Sequence, residues 1–186
     1  WMRDWPGCRY EDGIAEGRVS VVTDGGASWL RGSYSVGGIG PDDNGACWRF
    51  PFATRDATEL RYTVRFGPEF DWVKGRKLPG LSGGPESVTG GRRANGTNGF
   101  SARLMWRQNG AGEAYVYHLH QPDNFGESMS FPDGFKFPTG VPVHVRMLVL
   151  MNRPGARDGR LRMTATVDAG PEKVMVERNG MEWRTV

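Results

Sequence analysis

The chain has 186 residues, 28 of them glycine and 12 proline, with a formal net charge of +3 and two cysteines. That length supports one domain with a full core, and no apolar run reaches the ~18 residues of a membrane-spanning helix. The small positive charge suits a polyanion, whether nucleic acid, sulfated glycan or polyuronate, and reads equally well as ordinary solubility charge.

Frequent glycine and proline, with no long helical apolar stripe, predict many short strands joined by turns. Residues 18–23 and 29–34 read as early strands, and 47–52 as a strand that follows a Gly/Pro/Asp turn at 40–45. Cys8 and Cys47 fit either a bridge that ties down the N-terminus of a secreted protein or two buried thiols; they lack metal-ligand spacing. Residues 59–66 alternate: Leu60, Tyr62, Val64 and Phe66 share one side, Arg61, Thr63 and Arg65 the other. Residues 75–99 form a glycine-rich tract, and a loop of that length in a compact domain is functional or mobile. The tract lacks Walker spacing and no helix follows it, which excludes a phosphate loop. Residues 100–107 and 113–119 read as strands around Asn109-Gly110-Ala111-Gly112, a hairpin signal. Residues 143–150, 160–167 and 173–177 are further strands, with a turn at 152–159. Even spacing of short strands argues for a sandwich or a barrel.

The hairpin carries the chemistry. Side chains alternate across a strand, so Ala102, Leu104 and Trp106 read as core while Ser101, Arg103, Met105 and Arg107 face the other way. An unbulged turn near Gly110 sets odd residues opposite odd residues, which gathers Ser101, Arg103, Tyr115 and Tyr117 on one face. Elimination at a uronic acid needs a cation to neutralise the carboxylate, a base for the C5 proton and an acid for the leaving O4. An arginine with two phenols and a loop lysine meets that need, and the same patch also suits binding of a sugar acid without chemistry.

Lys77-Leu78-Pro79-Gly80-Leu81-x-Gly83-Gly84, then Phe100-Ser101-x-Arg103-Leu104-Met105-Trp106-Arg107, then Tyr115-x-Tyr117 resembles the alginate lyases of polysaccharide lyase family 14. The pattern is also similar to the glucuronan lyases of family 20. The likeness runs from about Phe66 to Tyr117 and is weaker at Trp29-x-Arg31, Cys47-Trp48 and residues 149–152. It implies an all-β, antiparallel sandwich of jelly-roll type, one domain over residues 1–186, whose concave sheet holds an acidic polysaccharide for β-elimination to an unsaturated uronyl end. On matching positions it implies that Arg103 and Lys77 neutralise the carboxylate, that Tyr115 and Tyr117 serve as base and acid in either order, and that Ser101 orients substrate or tyrosine. Arg107 on the same face, and Arg92 and Arg93 over the groove, would grip further acidic sugars. The family pattern continues with a Phe- and Gly-rich strand after a segment like Glu182-Trp183-Arg184-Thr185-Val186, where this chain stops, so a C-terminal strand is expected to be missing. The resemblance implies a secreted monomer without organic cofactor. A structural calcium is compatible by analogy, though no oxygen-ligand loop stands out.

His118-x-His120 is the main rival, since with His144 it matches the opening of a metal-binding cupin, also a jelly roll. Yet if Tyr115 and Tyr117 face the groove, His118 and His120 face away unless a bulge intervenes; the bland alternative is a strand-end pair, and a groove role for His118 as base or carboxylate partner is the third. A non-catalytic carbohydrate-binding module of the same fold is a further alternative. Glycoside hydrolysis is disfavoured, because no strand carries alternating acids and Glu113, alone near a turn, reads as solvated. Trp72, beside the glycine tract, reads as core or as a sugar-stacking ring. The arginines are dispersed and match no nucleic-acid motif.

Overall fold

The computed structural model describes all residues except 1, 3, 4, 6, 39–42 and 87. The turn expected at 40–45 therefore lies partly outside the described residues. The chain divides into two compact units, Trp1–Ala53 and Thr54–Val186.

The first unit holds two short antiparallel ribbons, β1 (Arg9–Asp12) with β4 (Cys47–Arg49) and β2 (Val19–Asp24) with β3 (Ala27–Gly32). Arg18 Nε donates to Gly45 O at 2.9 Å within this unit. Cys8 and Cys47 are each half-buried.

The second unit is a sandwich of two four-stranded antiparallel sheets. One runs β12 (Lys173–Met181), β11 (Gly159–Val167), β10 (Val143–Leu150), β5 (Ala57–Val64); the other runs β6 (Gly75–Gly83), β7 (Phe100–Arg107), β8 (Gly112–Tyr117), β9 (Glu127–Ser130). Period-two alternation builds the core between them. Val143, Val145, Met147 and Val149 of β10 and Leu161, Met163 and Ala165 of β11 meet Phe100, Ala102, Leu104 and Trp106 of β7 and Ala114 and Val116 of β8. Each large apolar side chain buried there contributes ~1.5–3 kcal/mol before the chain-entropy cost. Phe66, Phe70, Trp72 and Trp106 form an aromatic knot at one end, with Phe66 and Trp72 centroids 4.5 Å apart.

Residues 75–99 are not one long loop. Their first part is β6, an edge strand, and the glycines and the proline that made it look irregular have structural reasons. Pro79 sits within a register shift between Lys77 and Gly80, where an edge strand tolerates a missing N–H. Gly80 lies opposite Arg103, and a Cβ there would stand 2.6 Å from the Arg103 Cγ and 2.1 Å from Ala102 O. Any side chain at that position would displace the arginine.

Candidate active site

Two strands and an edge position the site. β7 and β8 pair without a register shift, Ser101 to Tyr117, Arg103 to Tyr115 and Met105 to Glu113. Lys77 on β6 lies opposite Met105. Because odd residues of β7 and β8 point away from the inter-sheet core, Lys77, Arg103, Arg107, Glu113, Tyr115 and Tyr117 share the outer face of the sheet.

The two phenols meet edge to face, with ring centroids 5.6 Å apart. Each oxygen accepts one backbone N–H from a glycine: Gly91 donates to Tyr117 Oη at 3.1 Å and Gly126 to Tyr115 Oη at 3.1 Å. Tyr117 is 1% exposed and packs with Val88 and Ala94 from the segment that follows β6, whereas Tyr115 remains partly exposed. Their environments push the hydroxyls apart. For Tyr115, burial raises the phenol above its usual value, and its hydrogen bond and proximity to Tyr117 raise it further, against the Gly126 N–H and the Arg107 charge. For Tyr117, burial also raises the phenol, but the Gly91 N–H, the Tyr115 hydroxyl, the Gly126 N–H and the Lys77 charge outweigh it and bring the group below the usual value. One network thus shifts the two phenols in opposite directions.

Cations surround the pair. Lys77 Nζ lies 5.8 Å and Arg107 Cζ 5.7 Å from the Tyr115 ring centroid. Desolvation, with the charge of Arg103 next, lowers the Lys77 ammonium below the ordinary lysine value. Arg107 is held by Glu113, whose Oε1 lies 2.6 Å from Nη2 and also accepts from Ser128 Oγ at 3.2 Å. Glu113 is buried in that pair and not solvated as its place near a turn predicts; its strand carries it back under Arg107.

Ser101 lies beneath Arg103 on the same face. Its hydroxyl donates to Val88 O at 2.7 Å and accepts from Arg103 Nη2 at 2.8 Å, and the residue is 1% exposed. The hydroxyl thus bridges the Val88 carbonyl and the Arg103 guanidinium. Trp72 belongs to the aromatic knot on the opposite face of β7, which removes it from the groove. Arg92 pairs with Glu86 at 3.1 Å on an exposed loop, and Arg93 Nη2 donates to Gln121 O at 2.7 Å. Arg93 is thus a clasp between two loops.

The histidines separate. His118, which follows β8, is 2% exposed, with Nε2 2.6 Å from Glu127 Oε2. Its ring lies 6.5 Å from that of the buried Trp183. His120 Nε2 pairs with Glu182 at 2.7 Å, and His144 Nδ1 lies 2.8 Å from Thr63 Oγ1 on the other sheet. The three rings engage different partners, and among the described residues no three His, Cys, Asp or Glu side chains gather as a metal site.

Several contributors had no signal in the sequence. Gly91 and Gly126 act through backbone N–H groups, which no side-chain pattern reports. Gly126 also has to be glycine, because a Cβ there would stand 2.8 Å from Tyr117 Cε2 and 3.0 Å from Tyr115 Cε1. The Val88 carbonyl is equally invisible. Taken together, the face offers cations for a carboxylate and two coupled phenols for a proton taken and a proton returned.

Residues 26–186 match the family described as Polysaccharide lyase 14. The alginate lyase Aly36B is similar at 25% identity and a TM-score of 0.82, over 100% of this chain and 72% of that one. A double mutant of Aly36B in complex with alginate tetrasaccharide aligns at 28% identity and a TM-score of 0.67, over 76% of this chain and 58% of that one. The marine PL-14 alginate lyase from Aplysia kurodai shares the fold at 24% identity and a TM-score of 0.79, over 100% of this chain and 78% of that one. The sandwich is therefore of the jelly-roll type. No curated protein matches the chain by sequence.

Proposed function

Since this chain belongs to the polysaccharide lyase 14 family, we propose that it cuts alginate by β-elimination at the face that carries Tyr115 and Tyr117. The observation that carries the reading is the edge-to-face phenol pair, each oxygen accepting a glycine N–H, with Lys77 and Arg107 over the Tyr115 ring. The complex of the similar enzyme Aly36B with an alginate tetrasaccharide supports the choice of polymer. Secretion fits an enzyme whose substrate is an extracellular polysaccharide.

Arg103, aligned by Ser101, and Lys77 neutralise the uronate carboxylate, so that charge from the broken C5–H bond has somewhere to go. Tyr115 is the phenol open to the sugar, and Tyr117, sealed and lowered, is its proton acceptor. The Tyr115 oxygen takes the C5 proton while its own proton passes to Tyr117. The C5 electron pair forms the C4=C5 double bond as the C4–O4 bond breaks. Tyr115 then protonates O4, and Tyr117 returns its proton to Tyr115. The Gly126 N–H, 3.1 Å from Tyr115 Oη, stabilises the phenolate that appears in between.

The test is the growth of ultraviolet absorbance from the conjugated uronyl end on alginate, with glucuronan run alongside. The expected result is a signal on alginate that Tyr115→Phe abolishes while the variant still folds and binds polymer. Cleavage without the conjugated product, or a fully active Tyr115→Phe, overturns the proposal. A signal on glucuronan alone transfers the mechanism to the other polymer.

A further inference from the structure

We infer that Phe125 is a stacking residue of a sugar subsite next to the phenol pair, where it takes the apolar C–H face of a neighbouring uronate ring. The inference rests on the lyase reading and adds a subsite to it.

Phe125 is 60% exposed. A single apolar residue at a surface needs no explanation, but this one is placed between the two donors that hold the phenols. Its ring lies against Gly91: a Cβ on Gly91 would stand 3.4 Å from Phe125 Cε1. Gly91 donates to Tyr117 Oη, and the residue that follows Phe125, Gly126, donates to Tyr115 Oη. The ring thus sits at the rim of the site, between the segment that covers Tyr117 and the loop that reaches Tyr115.

The loop presents the ring on a fixed backbone. Gln121 is 1% exposed, and its Nε2 donates to Asp123 O at 2.9 Å and to Phe125 O at 3.0 Å, while its Oε1 accepts the His118 N–H at 3.2 Å. Phe125 N–H donates to Asp123 Oδ1 at 2.7 Å, and Arg93 ties the Gln121 carbonyl to the neighbouring segment. None of these bonds uses the Phe125 side chain. The loop is held without the ring, and the ring is held out by the loop, which is how a flat apolar surface is kept ready for a ligand. A flat, exposed ring at this rim fits the apolar C–H face of a uronate.

Phe125→Ala and Phe125→Tyr are assayed beside the wild type for turnover of alginate, with affinity electrophoresis in alginate gels as a binding readout that needs no turnover. The expected result is a KM raised about tenfold in Phe125→Ala with kcat within about twofold, matching retardation loss in the gel, and recovery of both in Phe125→Tyr. An unchanged KM and unchanged retardation in Phe125→Ala overturn the inference. So does a fall in kcat alone that tyrosine does not recover, which would mean that the ring only props Gly91. If the wild type itself forms no conjugated product, the lyase reading fails separately, and the gel still decides whether Phe125 contacts the polymer.

Discussion

Gly126→Ala isolates the phenol geometry from the rest of the site. Gly126 does not use the left-handed backbone region, so alanine introduces no backbone strain and the effect comes from the methyl group alone. That carbon would stand 2.8 and 2.9 Å from Tyr117 Cε2 and Cδ2 and 3.0 Å from Tyr115 Cε1. Ordinary carbon contacts lie at about 3.5–4.0 Å, so the rings and the loop must part by roughly 0.5 Å or more. Both phenols are anchored, Tyr117 between Val88 and Ala94 and Tyr115 in its strand, so the loop lifts and the 3.1 Å bond from Gly126 to Tyr115 Oη opens. A hydrogen bond to a charged oxygen is worth ~1.5–3 kcal/mol, which lowers kcat by about one to two orders of magnitude. Overpacking lowers stability by ~1–3 kcal/mol, measured separately by thermal unfolding. The assay is initial-rate formation of the conjugated uronyl product at saturating alginate, below the unfolding temperature. A kcat within about twofold of the wild type would refute the idea that this N–H stabilises the reacting phenol.

Three further outcomes are expected. Tyr117 is lowered and acts in its ionised form, so kcat rises with pH through a limb that lies below the ordinary phenol value of about 10; the limb belongs to the coupled pair, and Tyr117→Phe removes it from the pH profile. Burial lowers His118, with Glu127 opposing and Arg178 and His120 assisting, so the unfolded chain binds a proton that the fold rejects. Stability present above about pH 6.5 is therefore lost as pH falls toward the depressed folded value, and denaturant titrations across that window should show a shallower slope in His118→Gln. The Tyr62 hydroxyl is buried with no hydrogen-bond partner among the described residues, and burial raises its phenol well above the usual range. Tyr62→Phe removes an unmet polar group, worth up to ~1–3 kcal/mol, so the melting temperature should rise or hold, and a fall would show that the oxygen has a partner.

The reacting face was legible because it obeys local rules. A tight hairpin and strict alternation determine which residues lie opposite one another in β7 and β8, and the pairing of Arg103 with Tyr115 follows from them. The same alternation made β5 and β10 readable. What escaped was set by side-chain contacts that alternation does not report. β6 looked like loop because Gly80 is chosen by the passing Arg103 side chain and Pro79 is permitted by its edge position. Glu113 looked solvated because Arg107 and Ser128, which hold it, come from the strands on either side. Trp72 lies near the glycine tract in sequence but turns into the aromatic knot with Phe66, Phe70 and Trp106. β9, only four residues long, has no pattern of its own and exists because β8 offers it an edge.

The central claim is that these phenols break a C–O bond by moving a proton, without adding water. Digestion of alginate in water enriched in heavy oxygen, followed by mass spectrometry of the oligosaccharides, reads this directly. The account predicts that each new non-reducing end is an unsaturated uronate and that bond cleavage installs no heavy oxygen, once the exchange at free reducing ends is subtracted. A labelled oxygen incorporated at each cut, with saturated ends, would make the enzyme a hydrolase and contradict the account.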